Sequence, residues 1–242
     1  MKIAIILQAR SNSTRLKNKI LKRIQNKTIL EIILDRLNLL KKKKINIILA
    51  TTKKKEDDKL VKIAQKKGCY IFRGEEKNVL SRFYNAAKLF KIDLIIRCNA
   101  DCPLIDPKII LEMLSNMNKK IDYLSNILEE SFPTGMHIEI FKFSVLKKAY
   151  ENATSKLQKE HVTPYIYNGK FKIKNFKNET NLSHHRWTID YVEDLKFFRI
   201  LFRKLNYDFK APFKKVLNII NNHPKIIKYN YHIKKKQNLL NK

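Results

Sequence analysis

Glycine is scarce in this chain: 4 among 242 residues. None falls in Gln8–Lys19, the loop after the first apolar segment. That excludes a Walker loop and a dinucleotide fingerprint there, since both need glycines for close backbone approach to phosphate. Proline (6) and cysteine (3) are also few. Cys69, Cys98 and Cys102 form no disulfide framework. Cys98 and Cys102 have no second pair to complete a zinc site, and a reduced, cytoplasmic setting is expected. No apolar run approaches the roughly 18 residues of a membrane span. The opening Met1–Leu7 is too short for a signal peptide, lacks a small-residue cleavage site and reads as a buried strand. Acidic residues are outnumbered, 22 against 52 basic, for a net charge of +30.

Hydrophobic residues make up 44%, which excludes a wholly disordered chain. Lysines are spread along the whole length, and Ile and Asn are abundant beside them, the bias an AT-rich coding sequence would give. There is no aromatic RNP stretch and no basic-region heptad, so the excess reads as solvated lysine faces rather than a nucleic-acid groove. The field still favours anionic small substrates.

Apolar runs and helical periodicities alternate. Strands are predicted at 2–8, 45–51, 69–72 and 93–97. Helices are predicted at 28–40 (Thr28 and Glu31 as a capping box), 56–67 (stopped by Gly68), 78–90 and from Asp106-Pro107. Such repeated units predict an α/β fold with a mostly parallel sheet covered on both faces, three layers in all. Beyond about residue 120, an antiparallel strand is expected at 136–143. Helices are expected at 144–152 and 156–168 (interrupted near Pro164), a strand at 185–190 and a helix at 192–205. We read one domain over 1–225 with an inserted lobe at about 126–183, and a basic tail over 226–242 that frays.

Ligands of open parallel sheets bind beyond the carboxyl ends of the strands. The first such loop carries Arg10, Arg15, Lys17 and Lys19 with Ser11, Ser13 and Thr14. Guanidinium forks and hydroxyls suit a polyphosphate, although a solvated basic loop has the same composition. Gln8-Ala9-Arg10 through Ser13-Thr14-Arg15-Leu16 to Lys19 resembles the nucleotide-binding signature of CMP-sugar-acid synthetases. These are the cytidylyltransferases of Kdo and acylneuraminate, and the spore-coat polysaccharide branch is the most similar. Further segments agree in order: Ala50-Thr51-Thr52 with Asp57-Asp58; Phe72-Arg73-Gly74 with Val79-Leu80 and Arg82; Asn99 to Asp106; Glu160 to Pro164; and Arg186 to Asp190. The resemblance covers residues 3 to about 195 and implies a Rossmann-like nucleotidyltransferase fold.

The resemblance implies that Ala9, Arg10, Ser11, Ser13, Arg15 and Lys19 wrap the triphosphate of CTP, with Arg10, Lys19 and Asp101 catalytic. Lys17-Asn18 stands where the family has Pro-Gly, so Asn18 is expected to take a left-handed turn. Asp101 and Asp190 are implied ligands of Mg²⁺, a hard cation suited to carboxylate and phosphate oxygens. Each has a plainer reading as a cap, Asp190 for the helix from Val192. Asn99 and Arg73 are implied on the base side, and Arg82 near the nucleotide. Arg73 could equally form a surface ion pair, and Arg82 could brace Glu75 or Glu76. His161 is implied to line the acceptor pocket, against a structural role. Gly135-Met136-His137-Ile138-Glu139 resembles a family Gly-x-Asp-x-Glu segment with His137 in place of the aspartate, which implies Glu139 as a candidate acceptor ligand. His184-His185, on opposite faces of a strand, are not read as a metal site.

The implied activity is Mg²⁺-dependent transfer of CMP from CTP to a small anionic acceptor, a sugar acid, for surface polysaccharide or glycan synthesis. A homodimer is expected from the same resemblance. Alternatives are a phosphate or phosphonate acceptor giving a CDP-linked product, and a non-catalytic nucleic-acid-binding protein.

Overall fold

The computed structural model describes residues 1–233; residues 234–242 of the expected tail lie outside them. Strand β1 (Ile3–Gln8) is apolar almost throughout because it lies between two other strands with helices on both faces. A two-stranded hairpin, β2 (Arg23–Ile24) and β3 (Lys27–Thr28), leads into α1 (Ile29–Leu37). Thr28 and Glu31 form the expected capping box. The chain continues as β4 (Asn46–Thr52), α2 (Asp58–Lys66), β5 (Tyr70–Gly74), α3 (Val79–Leu89), β6 (Leu94–Asn99) and α4 (Pro107–Asn116). Asp106 caps α4 through Lys108 N and also accepts from Phe213 N, so one carboxylate ties two helix starts together.

The second half adds β7 (Tyr123–Ser125), β8 (Glu139–Lys142), α5 (Phe143–Asn152), α6 (Lys156–His161), α7 (Pro164–Tyr167), β9 (Ile173–Asn175), α8 (Val192–Lys204) and α9 (Phe213–Asn222). The seven-stranded sheet has the order β5-β4-β1-β6-β8-β7-β9. Pairings are parallel except β6–β8 and β7–β8. The fold is therefore the expected three-layer α/β arrangement with a mostly parallel sheet. Side chains alternate between two cores. Ile5, Leu7, Leu49 and Ile96 face α1, α4 and α8; Ala4, Ile6, Ile48 and Ile95 face α3 and α5. The winding turns from β5 back across to β6, so the crevice at the switch point lies above β1 and β6.

Several expectations are corrected. The stretch 126–183 contributes β8 and β9 to the central sheet itself. No strand forms at 185–190; Arg186 makes one isolated bridge to Thr134, and the rings of His184 and His185 approach to 4.1 Å. The segment is held by loop contacts, which a short apolar run cannot reveal. Over the described residues 226–233 the expected fraying is not found: Ile226 and Asn230 are buried, and Asn230 Nδ2 donates to Arg186 O and Asp194. The hairpin β2–β3 and helix α9 went unanticipated. Among the described residues no helix is long and apolar enough to cross a membrane, and all three cysteines are buried and free.

Candidate active site

A cavity of about 340 Å³ opens at that crevice, between the loop after β1 and the ends of β6 and α6. The loop is fixed at its start by Asp57, which accepts from Ser11 N (2.7 Å), Thr51 Oγ1 (2.9 Å) and Thr52 Oγ1 (2.5 Å). At its end Asn18 is left-handed (φ 55°, ψ 33°), as expected of the residue in the glycine position, and it starts a short 3-10 turn, Lys19–Leu21. Ser13 Oγ donates to Leu16 O and closes the turn between.

That geometry sends Lys19 to the centre. Its Nζ donates to Asp101 Oδ2 (2.6 Å) and Asp190 Oδ1 (2.8 Å), joining the first loop, the end of β6 and the segment before α8. Arg15 Nη2 lies 2.6 Å from the same Asp190 oxygen. Asp190 is not the cap of α8. Tyr191 holds that position, and Asp194 accepts from the backbone N–H of both Asp190 and Tyr191. Asp194 is itself fully buried and ion-paired with Arg186 (2.8 Å), which also reaches Asp190 Oδ2 (3.3 Å). Burial alone would raise the Asp190 carboxyl. The charge and hydrogen bond of Lys19, helped by Arg15, outweigh it and hold the group down at about 2. The Lys19 ammonium is raised in turn: burial opposes its charge, and Asp101 and Asp190 overcome that.

Of the sequence-predicted residues, the cavity brings together Ala9, Arg10, Ser13, Arg15, Lys19, Asn99, Asp101, His161 and Asp190. Four others lie off its wall. Ser11 faces away, bonding Asp57 and Glu56 O, because its backbone N–H is what anchors the loop. Arg73 takes the ion-pair reading, to Asp58 Oδ1 (2.6 Å), and donates to Thr52 O and Lys54 O. Arg82 is buried and braces the carbonyls of Glu75 and Glu76, on an adjoining cavity of about 270 Å³ shared with Gln8, Arg10 and Glu160. Glu139 is buried beneath the site, ion-paired with Arg97 and accepting from Tyr123 Oη (2.7 Å) and Thr163 Oγ1 (2.6 Å).

Sequence reasoning overlooked Arg97 and gave no role to Gln8 and Glu160, which stand within its motifs; all three are on the cavity wall. Arg97 had a signal: it is the one charged residue within the apolar run Leu94–Cys98, two places before Asn99 and so on the same strand face. It also overlooked Arg186 and Asp194 as the support of Asp190.

Among the described residues no group of three or more His, Cys, Asp and Glu could hold a metal. Two carboxylates nevertheless converge on one cation, the Lys19 ammonium. Hard oxygen donors meeting at a point of stabilised positive charge fit Mg²⁺, which binds through one or two carboxylates and takes further oxygens from phosphates.

A cationic loop and two carboxylates at the switch point of a Rossmann-like sheet form a site for a small, highly charged ligand. The chain belongs to the cytidylyltransferase family, whose sequence profile matches residues 4–237. It is 39% identical to an uncharacterized protein of Methanocaldococcus jannaschii, over 98% of this chain and 97% of that one. It is 28% identical to the spore coat polysaccharide biosynthesis protein SpsF of Bacillus subtilis, over 92% and 95%. A solved cytidylyltransferase from Leptospira borgpetersenii superposes with a TM-score of 0.88 at 34% identity, covering 94% of this chain and 97% of that one. The fold also matches CMP:2-keto-3-deoxy-manno-octonic acid synthetase complexed with CTP (TM-score 0.64, 17% identity, 85% of this chain and 100% of that one). The chain is thus a nucleotidyltransferase that uses CTP.

Proposed function

We propose that the protein transfers CMP from CTP to the hydroxyl of a small acidic sugar, releasing pyrophosphate, for surface polysaccharide or glycan synthesis. The single observation that carries this reading is the convergence of Lys19, Arg15, Asp101 and Asp190 at the mouth of the β1 loop. The acceptor oxygen attacks the α-phosphorus of CTP in line. A P–O bond forms to the acceptor, the α–β bridging P–O bond breaks, and the hydroxyl proton is lost. Catalysis of this kind is positioning plus neutralisation of charge growing on the leaving pyrophosphate. Arg10, Arg15 and Lys19 supply the cations and the loop backbone the donors, while Ser13 holds the turn through Leu16 O. Lys19 is held by carboxylates on two sides, so it is oriented before substrate arrives.

Mg²⁺ is the proposed cofactor. Asp101 and Asp190 would hold it, and bound there it would neutralise phosphate charge. His161, on the cavity wall, would line the acceptor side. The resemblance to sugar-acid synthetases, the similarity to a polysaccharide-synthesis protein and the cationic wall all favour an anionic acceptor. A cytoplasmic location is supported by the three free thiols. A homodimer is supported by the family resemblance and by exposed Tyr150 and Leu157 on α5 and α6. Light scattering returning a dimer mass is expected, and a monomer mass would remove that part of the reading. The main test incubates the protein with CTP, Mg²⁺ and a panel of sugar acids, sugar phosphates and neutral sugars. Pyrophosphate release with an acidic member is expected. Release with none, together with no calorimetric CTP binding, would overturn the reading.

A further inference from the structure

Arg97 is a cation built into the wall of the cavity and used by none of the steps above. Its side chain is nine-tenths buried. Cross-strand pairing of β6 with β8 sets Arg97 opposite Glu139, on the same face. Nη1 donates to Glu139 Oε2 and, at 3.3 Å, to Thr163 Oγ1. The guanidinium carbon lies 5.8 Å over the Phe83 ring, which fixes its plane. The rest of the fork is uncommitted. Nε is buried without a partner, and Nη2 makes no hydrogen bond among the described residues. A buried arginine donor left unpaired is rare and asks for an acceptor that comes and goes.

The supports around Arg97 are shaped for this. Tyr123 Oη and Thr163 Oγ1 both donate to the other Glu139 oxygen, so that carboxylate is held at both oxygens and engages only one nitrogen of the guanidinium. Thr163 is delivered by a γ-turn at Val162, a buried β-branched residue at φ 72°, ψ −54°, closed by Thr163 N donating to His161 O (2.9 Å). That conformation is strained for valine, and strain of this kind persists where the surroundings over-determine a site. The same turn ends α6 so that Glu160 and His161 face the cavity.

The location separates Arg97 from the triphosphate loop. The loop leaves β1, whereas Arg97 and its supports belong to β6, β8 and the end of α6 on the other side of the crevice. We infer that Arg97 grips an oxyanion of the acceptor, carboxylate or phosphate, through the free part of its fork, and that Glu139 is its positioning residue. This rests on the cytidylyl-transfer reading, because it is that reaction's second substrate that Arg97 would hold.

The test reads Arg97 directly. In protein labelled with ¹⁵N-arginine, the Nε–Hε resonance lost in Arg97→Lys is that of Arg97. It is followed on adding 2-keto-3-deoxy-octonic acid, N-acetylneuraminate, their methyl esters, or a sugar phosphate, each with and without the α,β-methylene analogue of CTP. We expect the resonance to move with an acid and not with its ester; movement with the sugar phosphate alone would name phosphate as the oxyanion. In turnover, Arg97→Met should raise the acceptor KM about tenfold or more while CTP affinity changes less than about twofold. Glu139→Gln should raise the same KM less, with the Arg97 resonance displaced before any ligand is added. A resonance that answers only to the CTP analogue, one that answers to nothing, or an equal loss of CTP affinity and acceptor KM would each overturn the inference. A wild-type protein that neither binds CTP nor releases pyrophosphate would instead overturn the transfer reading, and the resonance would still report whether Arg97 holds an oxyanion.

Discussion

The two walls of the cavity are built in opposite ways. On the β1 side the cations are long, partly exposed side chains on a loop: the Arg10 and Arg15 side chains are 46% and 51% exposed, and each rests on a carboxylate. On the β8 side the polar groups are buried, with Arg97, Glu139 and Tyr123 on strands and Thr163 on the turn after α6, all in one network. A loop of exchangeable cations suits a flexible, highly charged triphosphate whose charge moves during reaction. A rigid buried network suits recognition of one small group, since its donors lose little freedom on binding.

This contrast can be broken at several points. Asp101→Ala removes one of the two carboxylates that orient Lys19 and would hold the metal. Turnover should fall by about a thousandfold or more, while the urea unfolding midpoint shifts little. A rate near wild type would remove Asp101 from the mechanism. Gly135→Ala strikes the frame between the walls. Gly135 has φ 101°, and a Cβ there would meet the Trp187 carbonyl oxygen at 2.2 Å. Both strain and collision with backbone are unavoidable, so a loss of about 3 kcal/mol or more is expected in chemical denaturation. An unchanged midpoint would mean the loop can be rebuilt without that contact.

A smaller effect is read with pH. The Asp190 carboxyl is held at about 2, below its ordinary 3.8. Its folded-state value is depressed, so its contribution is complete above about pH 4 and is lost as pH falls towards 2. The amount is about 2 kcal/mol. Unfolding free energies at pH 6 and pH 3 should therefore diverge more in the wild type than in Asp190→Asn. Equal divergence would show that Lys19 and Arg15 do not stabilise that carboxylate. Smallest is Ser13→Ala, which loses one loop hydrogen bond, about 1 kcal/mol at most, and should weaken CTP binding only severalfold.

The sheet and the loop were legible because their signals are local. The Ile-rich runs, the Thr28–Glu31 box and the Asp106-Pro107 start each follow from neighbouring residues, and the left-handed Asn18 from the glycine that the resembled family has in its place. What stayed hidden depends on distant partners. Ser11 reads as a loop hydroxyl until Asp57, 46 residues away, takes its backbone N–H. Glu139 reads as a ligand until cross-strand register sets it against Arg97. The segment 185–190 reads as a strand, yet Gly135 and Asn230 hold it as a loop. Arg186 and Asp194, which support Asp190, are an ordinary pair in sequence and a buried bracket in the fold.

The most direct test of the central claim is calorimetric titration of CTP into wild-type protein and into Lys19→Met, with Mg²⁺ present. The arrangement predicts binding by the wild type and a loss of affinity of tenfold or more, on the order of 1.4 kcal/mol, in the variant. Equal affinity in both, or no binding by the wild type, would contradict it.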